Sequence, residues 1–217
     1  MQGNIQQYLK RFWQFVWHED SLASWIVSVL IAFILVKFII YPGLGLIFDT
    51  KYPVVAVVSG SMEHGLAGDN GNYVVCGNVF NEKNDINFDS YWNICGNRYL
   101  DLNISKEQFS TFRFKDGFNK GDVMVVFGTK PKDIKIGDVI LFKSYKPEPI
   151  IHRVVLTKKY DNGPKFRTKG DHNADSGPDE LSIDETRIVG RAVLRVPYVG
   201  YVKIMFIELL RLIGIGG

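Results

Sequence analysis

The longest apolar stretch of the chain lies near its N-terminus. Residues 22–48 contain one charged side chain, Lys37. A helix needs about 20 apolar residues to cross a bilayer whose hydrocarbon core is about 30 Å thick. The pattern therefore predicts a membrane-spanning helix in which the Lys37 ammonium reaches toward the interface. Pro42, with the glycines that follow it, is expected to end this helix near the far side.

Two other interpretations of this stretch fit less well. A buried core helix of this length would carry a polar face, and a cleaved signal peptide would have a shorter apolar core. Residues 43–45, Gly-Leu-Gly, are also a poor match to the small-x-small pattern of a signal-peptide cleavage site. Lys10 and Arg11 precede the retained anchor, so the positive-inside rule places residues 1–21 in the cytoplasm. Everything after the anchor is then expected on the outer or lumenal face.

Beyond the anchor, the pattern is mostly that of β-strands. Short runs rich in Val, Ile and Phe alternate with turn signals, as in "VVAVV", "DVMVVFG", "DVILFK", "IIHRVVL" and "RIVGRAVLRV". This spacing predicts antiparallel sheet in residues 49–63 and 118–198. The fold class is therefore expected to be mainly β, with an N-terminal transmembrane helix.

Residues 64–117 differ from their surroundings and are predicted to form an inserted subdomain. They are rich in Asn, Asp and Gly, and we expect few large apolar residues to stabilise them. Ser105, with Gln108 three positions later, predicts a capping box at the start of a short helix. Cys76 and Cys95 both lie here, and outside the cytoplasm thiols tend to oxidise. A disulfide between them would stabilise the fold by about 3 kcal/mol; two reduced cysteines in a small core are the alternative.

The C-terminal stretch, residues 199–217, has a helical pattern. Lys203, Glu208 and Arg211 fall on one side of the helix and apolar residues occupy the other. This arrangement is typical of an amphipathic helix that lies in the membrane interface. A second transmembrane helix is the alternative, although three charges in the middle of the segment would be costly.

Composition and charge exclude some classes of partner. The net charge is only +3, and no basic stripe with interleaved aromatic residues is present, so no nucleic-acid partner is expected. Asp171, Asn173 and Asp175 alternate as in a calcium loop. Ser176 and Ser182 stand where that loop needs glycine and glutamate. We therefore expect no metal and no cofactor.

Three polar features are candidates for chemistry. Ser61 follows the run "VVAVV" within "SGSME", His152 interrupts the apolar strand "IIHRVV", and the loop "TKGDHNADSGPDEL" carries three aspartates. Taken singly, they are typical of a turn serine, a hydrogen-bonded histidine and a solvated loop. Together, a serine, a base that takes its proton and a carboxylate that orients the base can carry out acyl transfer.

The order of these motifs resembles signal peptidase I, of the archaeal and endoplasmic-reticulum type that uses histidine as base. An apolar anchor is followed by "SGSME", "KGDV", "HRV", "TKGD" and "VGRAVLRVPYVG". The resemblance covers roughly residues 22–63 and 118–203. In bacterial relatives a lysine stands at the position of His152.

The resemblance implies a role for each matched residue. Ser61 would be the nucleophile, and its backbone N–H would hold the oxyanion together with the Ser59 hydroxyl. His152 would be the general base and then the acid. Asp171 matches a position that the family needs. A downstream aspartate would be the triad acid, for which counting back from Leu181 favours Asp179 and leaves Asp175 as the alternative.

The sequence departs from the family pattern in three places. His64 replaces the usual proline after Ser-Met-Glu, and residues 64–117 separate motifs that are normally close. His172 stands where asparagine is usual, and the spacing after Asp171 differs. The first two departures affect substrate selection, and the third affects the identity of the triad acid.

The predicted function is that of a single-pass membrane serine endopeptidase that removes signal peptides from secretory preproteins. An extended substrate is expected to pair with a sheet edge. Its partners would be preproteins, the lipid bilayer and other membrane subunits, in the cell membrane or the endoplasmic-reticulum membrane. The alternative is a membrane-tethered scaffold or binding protein on a protease fold that has lost its activity.

Overall fold

Helices make up the first of two compact units, residues 1–47 and 48–217. Helix α1 (Gln2–His18) is followed by α2 (Leu22–Leu35), a π-helical turn (Val36–Ile40) and α3 (Tyr41–Ile47). The computed structural model describes residues 2–69, 72–84, 86–145, 147–161, 163–202 and 204–205.

Helix α1 has a broad apolar face whose side chains are exposed, including Leu9, Phe12 and Trp13. The hydroxyls of Ser24 and Ser28, on α2, donate to main-chain carbonyls at the end of α1. Ser24 Oγ lies 2.5 Å from the carbonyl oxygen of residue 15, and Ser28 Oγ lies 3.1 Å from that of residue 16. These bonds satisfy carbonyls that a helix end leaves without partners, and they tie α1 to α2.

The segment Leu22–Ile47 is one continuous helix of 26 residues, long and apolar enough to cross a membrane. The expectation that Pro42 ends the helix is wrong. A π-helical turn precedes Pro42, and the helix continues to Ile47. Proline removes one N–H donor, and a π-helical turn locally shifts the hydrogen-bond ladder, so the helix accommodates Pro42 without ending.

Ten strands follow in the described residues of the second unit. They are β1 (Val54–Ala56), β2 (Ala67–Asp69), β3 (Asn72–Val75), β4 (Asn78–Phe80), β5 (Val123–Phe127), β6 (Val139–Phe142), β7 (Ile150–Tyr160), β8 (Gly163–Lys169), β9 (Ile183–Asp184) and β10 (Ile188–Val196). Seven form an antiparallel sheet in the order β1-β5-β10-β6-β7-β8-β9, and β2, β3 and β4 form a small second sheet. The mainly antiparallel β-fold predicted from the sequence is confirmed.

Strand β6 shows how the main sheet is buried. All four of its residues are inaccessible to solvent, and alternate residues face different sides of a sheet. Val139 packs with Met62, below the loop that carries Ser61, whereas Ile140 and Phe142 pack in a separate apolar cluster. Strand β6 is therefore covered on both faces and gives its neighbour β7 a rigid support.

Where the structure describes residues 64–117, they contain β2, β3 and β4 and three short helices, α4 (Phe88–Cys95), α5 (Asn97–Leu100) and α6 (Lys106–Ser110). The expectation of few large apolar residues is wrong, because aromatic side chains fill a core that also includes Val155 of β7. These aromatic residues are Tyr91, Trp92, Tyr99 and Phe109. Their spacing in the sequence is irregular, so no periodic pattern marked them as a core.

Two local predictions in this segment can be compared with the structure. Ser105 caps α6, because its hydroxyl accepts a hydrogen bond from the N–H of Gln108 at 3.2 Å, which confirms the predicted N-cap. Cys76 and Cys95 are joined by a disulfide. Of the predicted C-terminal helix, position 203 and residues 206–217 lie outside the described residues.

Candidate active site

Ser61 lies in a tight turn that follows β1. The end of the β1 segment is fixed by two main-chain hydrogen bonds, from Val57 N to Asp122 O at 2.8 Å and from Gly121 N to Val57 O at 2.9 Å. A further bond, from Glu63 N to Gly60 O at 3.0 Å, closes the turn around Ser61. The serine is half-buried, and these main-chain bonds hold the turn that carries it.

His152 lies on β7, opposite Ile140 of β6. Its Nε2 is 2.8 Å from the Oγ of Ser61. His152 is only 6% exposed, so the hydrogen bond lies largely out of water. The structure thus brings together the serine and the histidine that the sequence selected, although 91 positions separate them.

The carboxylate beside His152 belongs to Glu180. Its Oε1 lies 2.5 Å from Nδ1 of His152 and accepts a second hydrogen bond from the Thr168 hydroxyl at 3.0 Å. Its Oε2 accepts from Gly177 N at 2.8 Å. Burial raises the pKa of Glu180, but the hydrogen bond and charge of His152, with the other donors, outweigh burial and hold the pKa below its ordinary value. Glu180 is therefore a fully hydrogen-bonded carboxylate.

The two aspartates proposed from the sequence as triad acid lie elsewhere. Oδ2 of Asp179 accepts from Tyr145 N at 3.2 Å, and Oδ1 of Asp175 pairs with Arg167 at 2.6 Å. The turn Pro178–Glu180 is a 3₁₀ helix, in which successive side chains point in different directions. Glu180 is therefore buried while its neighbour Asp179 faces outward. Counting back from Leu181 located this region of the loop, but the carboxylate that contacts His152 belongs to the residue after Asp179.

Asp171 is completely buried and takes part in a network distinct from the bonds of His152. Its Oδ2 accepts from Arg153 Nη2 at 2.6 Å and from His64 Nε2 at 3.0 Å, and its Oδ1 accepts from the Tyr99 hydroxyl at 2.9 Å. Burial raises the pKa of Asp171, but Arg153 and His64 outweigh it and hold the pKa well below its usual range. Asp171 is therefore a buried anion that needs these donors.

Lys169 is a buried cation that the sequence reasoning did not single out. Its Nζ donates to the carbonyls of Gly170 and Asp171, at 3.0 Å and 3.3 Å. Burial lowers its pKa to about 8, although the charge of Asp171 acts in the opposite direction. A lysine in a strand pattern is usually solvent-facing, so the sequence offered no signal for its burial.

The remaining predicted side chain, Ser59, lies next to Ser61. Its Oγ is 3.2 Å from the Oγ of Ser61, and the residue is exposed. A hydroxyl at this place can turn toward an oxyanion when a substrate carbonyl approaches Ser61. Within the part of the chain that the structure describes, no three His, Cys, Asp or Glu side chains lie close enough to hold a metal ion.

Comparison with known proteins gives a consistent set of relatives. No protein-family model matches the chain. The signal peptidase complex catalytic subunit SEC11C of human and of mouse are each 36% identical to it over 95 residues, 41% of this chain and 50% of theirs. The signal peptidase complex catalytic subunit SEC11 of Pyricularia oryzae is 30% identical over 178 residues, 79% of this chain and 73% of the relative. The chain thus spans half the length of the mammalian relatives and most of the fungal one.

Proposed function

The chain belongs to the signal peptidase I family of the endoplasmic-reticulum type, and on this premise we propose that it is a membrane-bound serine endopeptidase that removes signal peptides from secretory preproteins. The observation that carries the proposal is the hydrogen-bonded series Ser61–His152–Glu180, with distances of 2.8 Å and 2.5 Å. A nucleophile, a base and a carboxylate that orients the base are the parts that acyl transfer requires.

Each residue of the series has a role in the proposed mechanism. Nε2 of His152 takes the proton of Ser61 Oγ as the oxygen attacks the scissile carbonyl, and Glu180 holds the Nδ1 proton and stabilises the imidazolium. The backbone N–H of Ser61 and the hydroxyl of Ser59 donate to the oxyanion. His152 then gives its proton to the leaving amine. A water activated by the same histidine hydrolyses the acyl-enzyme.

The substrate would bind in an extended form along the edge of the main sheet. Strand β1, which leads to Ser61, is the first strand in the sheet order, so in the described part of the chain no strand pairs with its other edge. Main-chain pairing with an edge strand tolerates varied substrate sequences. Signal peptides have small residues at the first and third positions before the cut, so shallow pockets beside Ser61 are sufficient for selection.

We further propose a single-pass protein of the endoplasmic-reticulum membrane, with residues 48–217 on the lumenal side. The helix Leu22–Ile47 supplies the span, and Lys10 and Arg11 before it favour a cytoplasmic N-terminus. The relatives are named as catalytic subunits of a signal peptidase complex. Other membrane subunits are accordingly proposed as partners, together with the bilayer and the preproteins.

The competing function is an inactive scaffold on a protease fold. The 2.8 Å bond between Ser61 and His152 favours the enzyme, since a scaffold has no need to keep a buried base against a serine. Cleavage of a preprotein by the full-length protein, in detergent and in native membranes, tests the choice. The product is identified by the sequence of its new N-terminus.

The first prediction concerns the nucleophile. Ser61→Ala should abolish cleavage while expression and membrane association stay unchanged, and His152→Ala should be equally inactive because the two residues act as one unit. Ser110→Ala, at an exposed serine of α6, is the matched control and should retain full activity. Substantial cleavage by Ser61→Ala would remove Ser61 as the nucleophile.

A further inference from the structure

Asp171 joins the inserted segment, residues 64–117, to the catalytic sheet. Two residues of the inserted segment, His64 and Tyr99, donate to its carboxylate at 3.0 Å and 2.9 Å. Arg153 of β7 donates to the same carboxylate at 2.6 Å. All four side chains are buried. The carboxylate thus holds together two parts of the chain that are distant in sequence.

The main chain next to Asp171 contacts the nucleophile segment directly. The N–H of His172 donates to the carbonyl of Ser61 at 2.9 Å, and the N–H of Asp171 lies 3.4 Å from the sulfur of Met62. Gly170 allows this approach, because a Cβ at that position would lie 2.6 Å from the carbonyl oxygen of Ser61. A displacement of residues 170–172 would therefore be transmitted to Ser61.

The inserted segment also contacts the main chain of residues 171 and 172. The Tyr91 hydroxyl donates to the carbonyl of Asp171 at 2.8 Å, and the N–H of Cys76 donates to the carbonyl of His172 at 2.8 Å. The ring of His64 stacks on that of Tyr91, with centroids 3.6 Å apart. Both the side chain of Asp171 and its backbone are thus fixed by the inserted segment.

We propose that the inserted segment positions the nucleophile, with His64 and Tyr99 as positioning residues that act through Asp171. The proposal rests on the proposed function of Ser61. Neither residue touches Ser61 Oγ in this arrangement. They fix residues 170–172, whose main chain contacts the backbone of Ser61. Their loss should therefore change the geometry between Ser61 and His152 and leave the binding of substrate along β1 unaltered.

Kinetics of the full-length protein on a preprotein separate these two effects. His64→Leu should lower kcat by about 10²-fold, the typical cost of a nucleophile displaced by about 1 Å, with KM little changed. His64→Gln should recover most of kcat, since its side-chain amide can donate to the same carboxylate oxygen. Tyr99→Phe removes one hydroxyl, keeps the ring in the core and should lower kcat by about tenfold, a milder displacement of the same kind.

Ser105→Ala is the matched control for stability. The Ser105 hydroxyl caps α6 of the inserted segment through Gln108 N, so its loss weakens the segment without removing a donor to Asp171. The rates of all variants are measured well below the melting temperature of the least stable variant, so that every protein is folded during the assay. Ser105→Ala should melt earlier than the wild type and keep its kcat.

A second measurement does not depend on turnover. In protein labelled with ¹⁵N-histidine, the Nε2 shift of His152, assigned with His152→Ala, reports its hydrogen bond to Ser61. In His64→Leu this shift should move toward its value in Ser61→Ala, and in Ser105→Ala it should stay at the wild-type value. If the wild type does not cleave at all, the proposed function fails. The Nε2 shift of His152 then still shows whether His64 positions Ser61 against His152.

Two results would overturn the proposal. One is a His64→Leu protein whose kcat and His152 shift are those of the wild type. The other is a Ser105→Ala protein that loses as much kcat as His64→Leu, since the inserted segment would then act through stability alone.

Discussion

Glu180 and Asp179 are adjacent acidic residues. Because their contacts differ, we expect their substitutions to have different effects on kcat. Glu180 is buried against Nδ1 of His152, whereas the carboxylate of Asp179 meets the N–H of Tyr145. Glu180→Gln keeps the shape of the side chain but removes the charge that orients the imidazole and stabilises its protonated form. We expect kcat to fall by about 10⁴-fold, the usual cost of losing this charge.

Asp179→Asn is the matched control for that substitution and should cleave nearly as fast as the wild type. Single-turnover rates and melting temperatures of the two variants, measured side by side, check the assignment. A dead Asp179→Asn enzyme together with an active Glu180→Gln enzyme would return the triad role to Asp179.

Asp171 should respond to substitution in a third way. It is a fully buried anion with Arg153, His64 and Tyr99 as donors, and Asp171→Asn leaves the Arg153 guanidinium buried without its anion. Breaking a buried ion pair in this way typically costs about 3–5 kcal/mol. We expect a lower melting temperature and a lower kcat together, whereas an Asp171→Asn protein of unchanged stability would contradict the ion-pair network.

The sequence identified some of these side chains and missed others for physical reasons. Ser61 follows an apolar strand pattern and His152 interrupts one, each within a short motif, and such signals are local. The position of Glu180 depends on which residue of a 3₁₀ turn faces inward, and the burial of Lys169 depends on packing against residues from distant parts of the chain. Neither property is encoded in a local pattern.

Strands were the elements that the sequence predicted best. Each of the runs in which Val, Ile or Phe alternates with turn signals contains a strand of the main sheet. β-branched and aromatic side chains fit a pleated, partly buried surface, so the same residue types recur in these strands. The inserted segment was predicted less well. Its core is built by aromatic residues from three short helices, and helices of one or two turns are too short to show a period.

The disulfide Cys76–Cys95 links the strand side of the inserted segment to α4. Protein made by its own host should resist alkylation without reductant, and intact mass should show no added label. Replacing both cysteines by serine should lower the free energy of unfolding by about 3 kcal/mol, because the unfolded chain is no longer cross-linked. Recovery of two alkylated thiols from native protein would show that the pair is reduced.

Helix α1 leads to another prediction, since its apolar face is exposed and it ends just before the span. An amphipathic helix next to a span lies in the membrane interface with its apolar face toward the acyl chains. A spin label at Leu9→Cys should be reached by oxygen in lipid vesicles. One at Gln7→Cys, on the polar face, should be reached by a water-soluble nickel chelate. Equal access of the chelate to both labels would place α1 in water.

Charges buried inside the second unit connect its folding to pH. Arg153, Asp171 and Lys169 all lie in the interior, together with Tyr91 and Tyr99, whose pKa values are raised well above the ordinary range, first by burial and then by Asp171. Asp171 thus acts on two cations that differ in how easily they lose a proton, and the charge of the buried Glu180 also acts on Lys169. Arg153 stays charged at every accessible pH, so Lys169 is the cation that can be neutralised.

Lys169 should make the unfolding of this unit depend on pH in the alkaline range. Burial lowers its pKa to about 8 in the folded chain, from the ordinary value of 10.5 that an unfolded chain would have. Between these values the unfolded chain binds more protons at Lys169 than the folded chain does. The free energy of unfolding should therefore rise with pH over this window, by about 3 kcal/mol in total, and the gain is absent below about pH 8.

Chemical unfolding of the wild type and of Lys169→Met, at about pH 7 and about pH 9.5, measures this contribution as a difference between the two proteins. Ionisation of Tyr91 and Tyr99 occurs in both and cancels. The variant should lack the rise with pH, and Lys159→Met, at an exposed lysine of the same sheet, should keep it. A Lys169→Met protein that follows the wild type across this range would mean that Lys169 keeps its proton in the folded chain, held by its bonds to the carbonyls of Gly170 and Asp171.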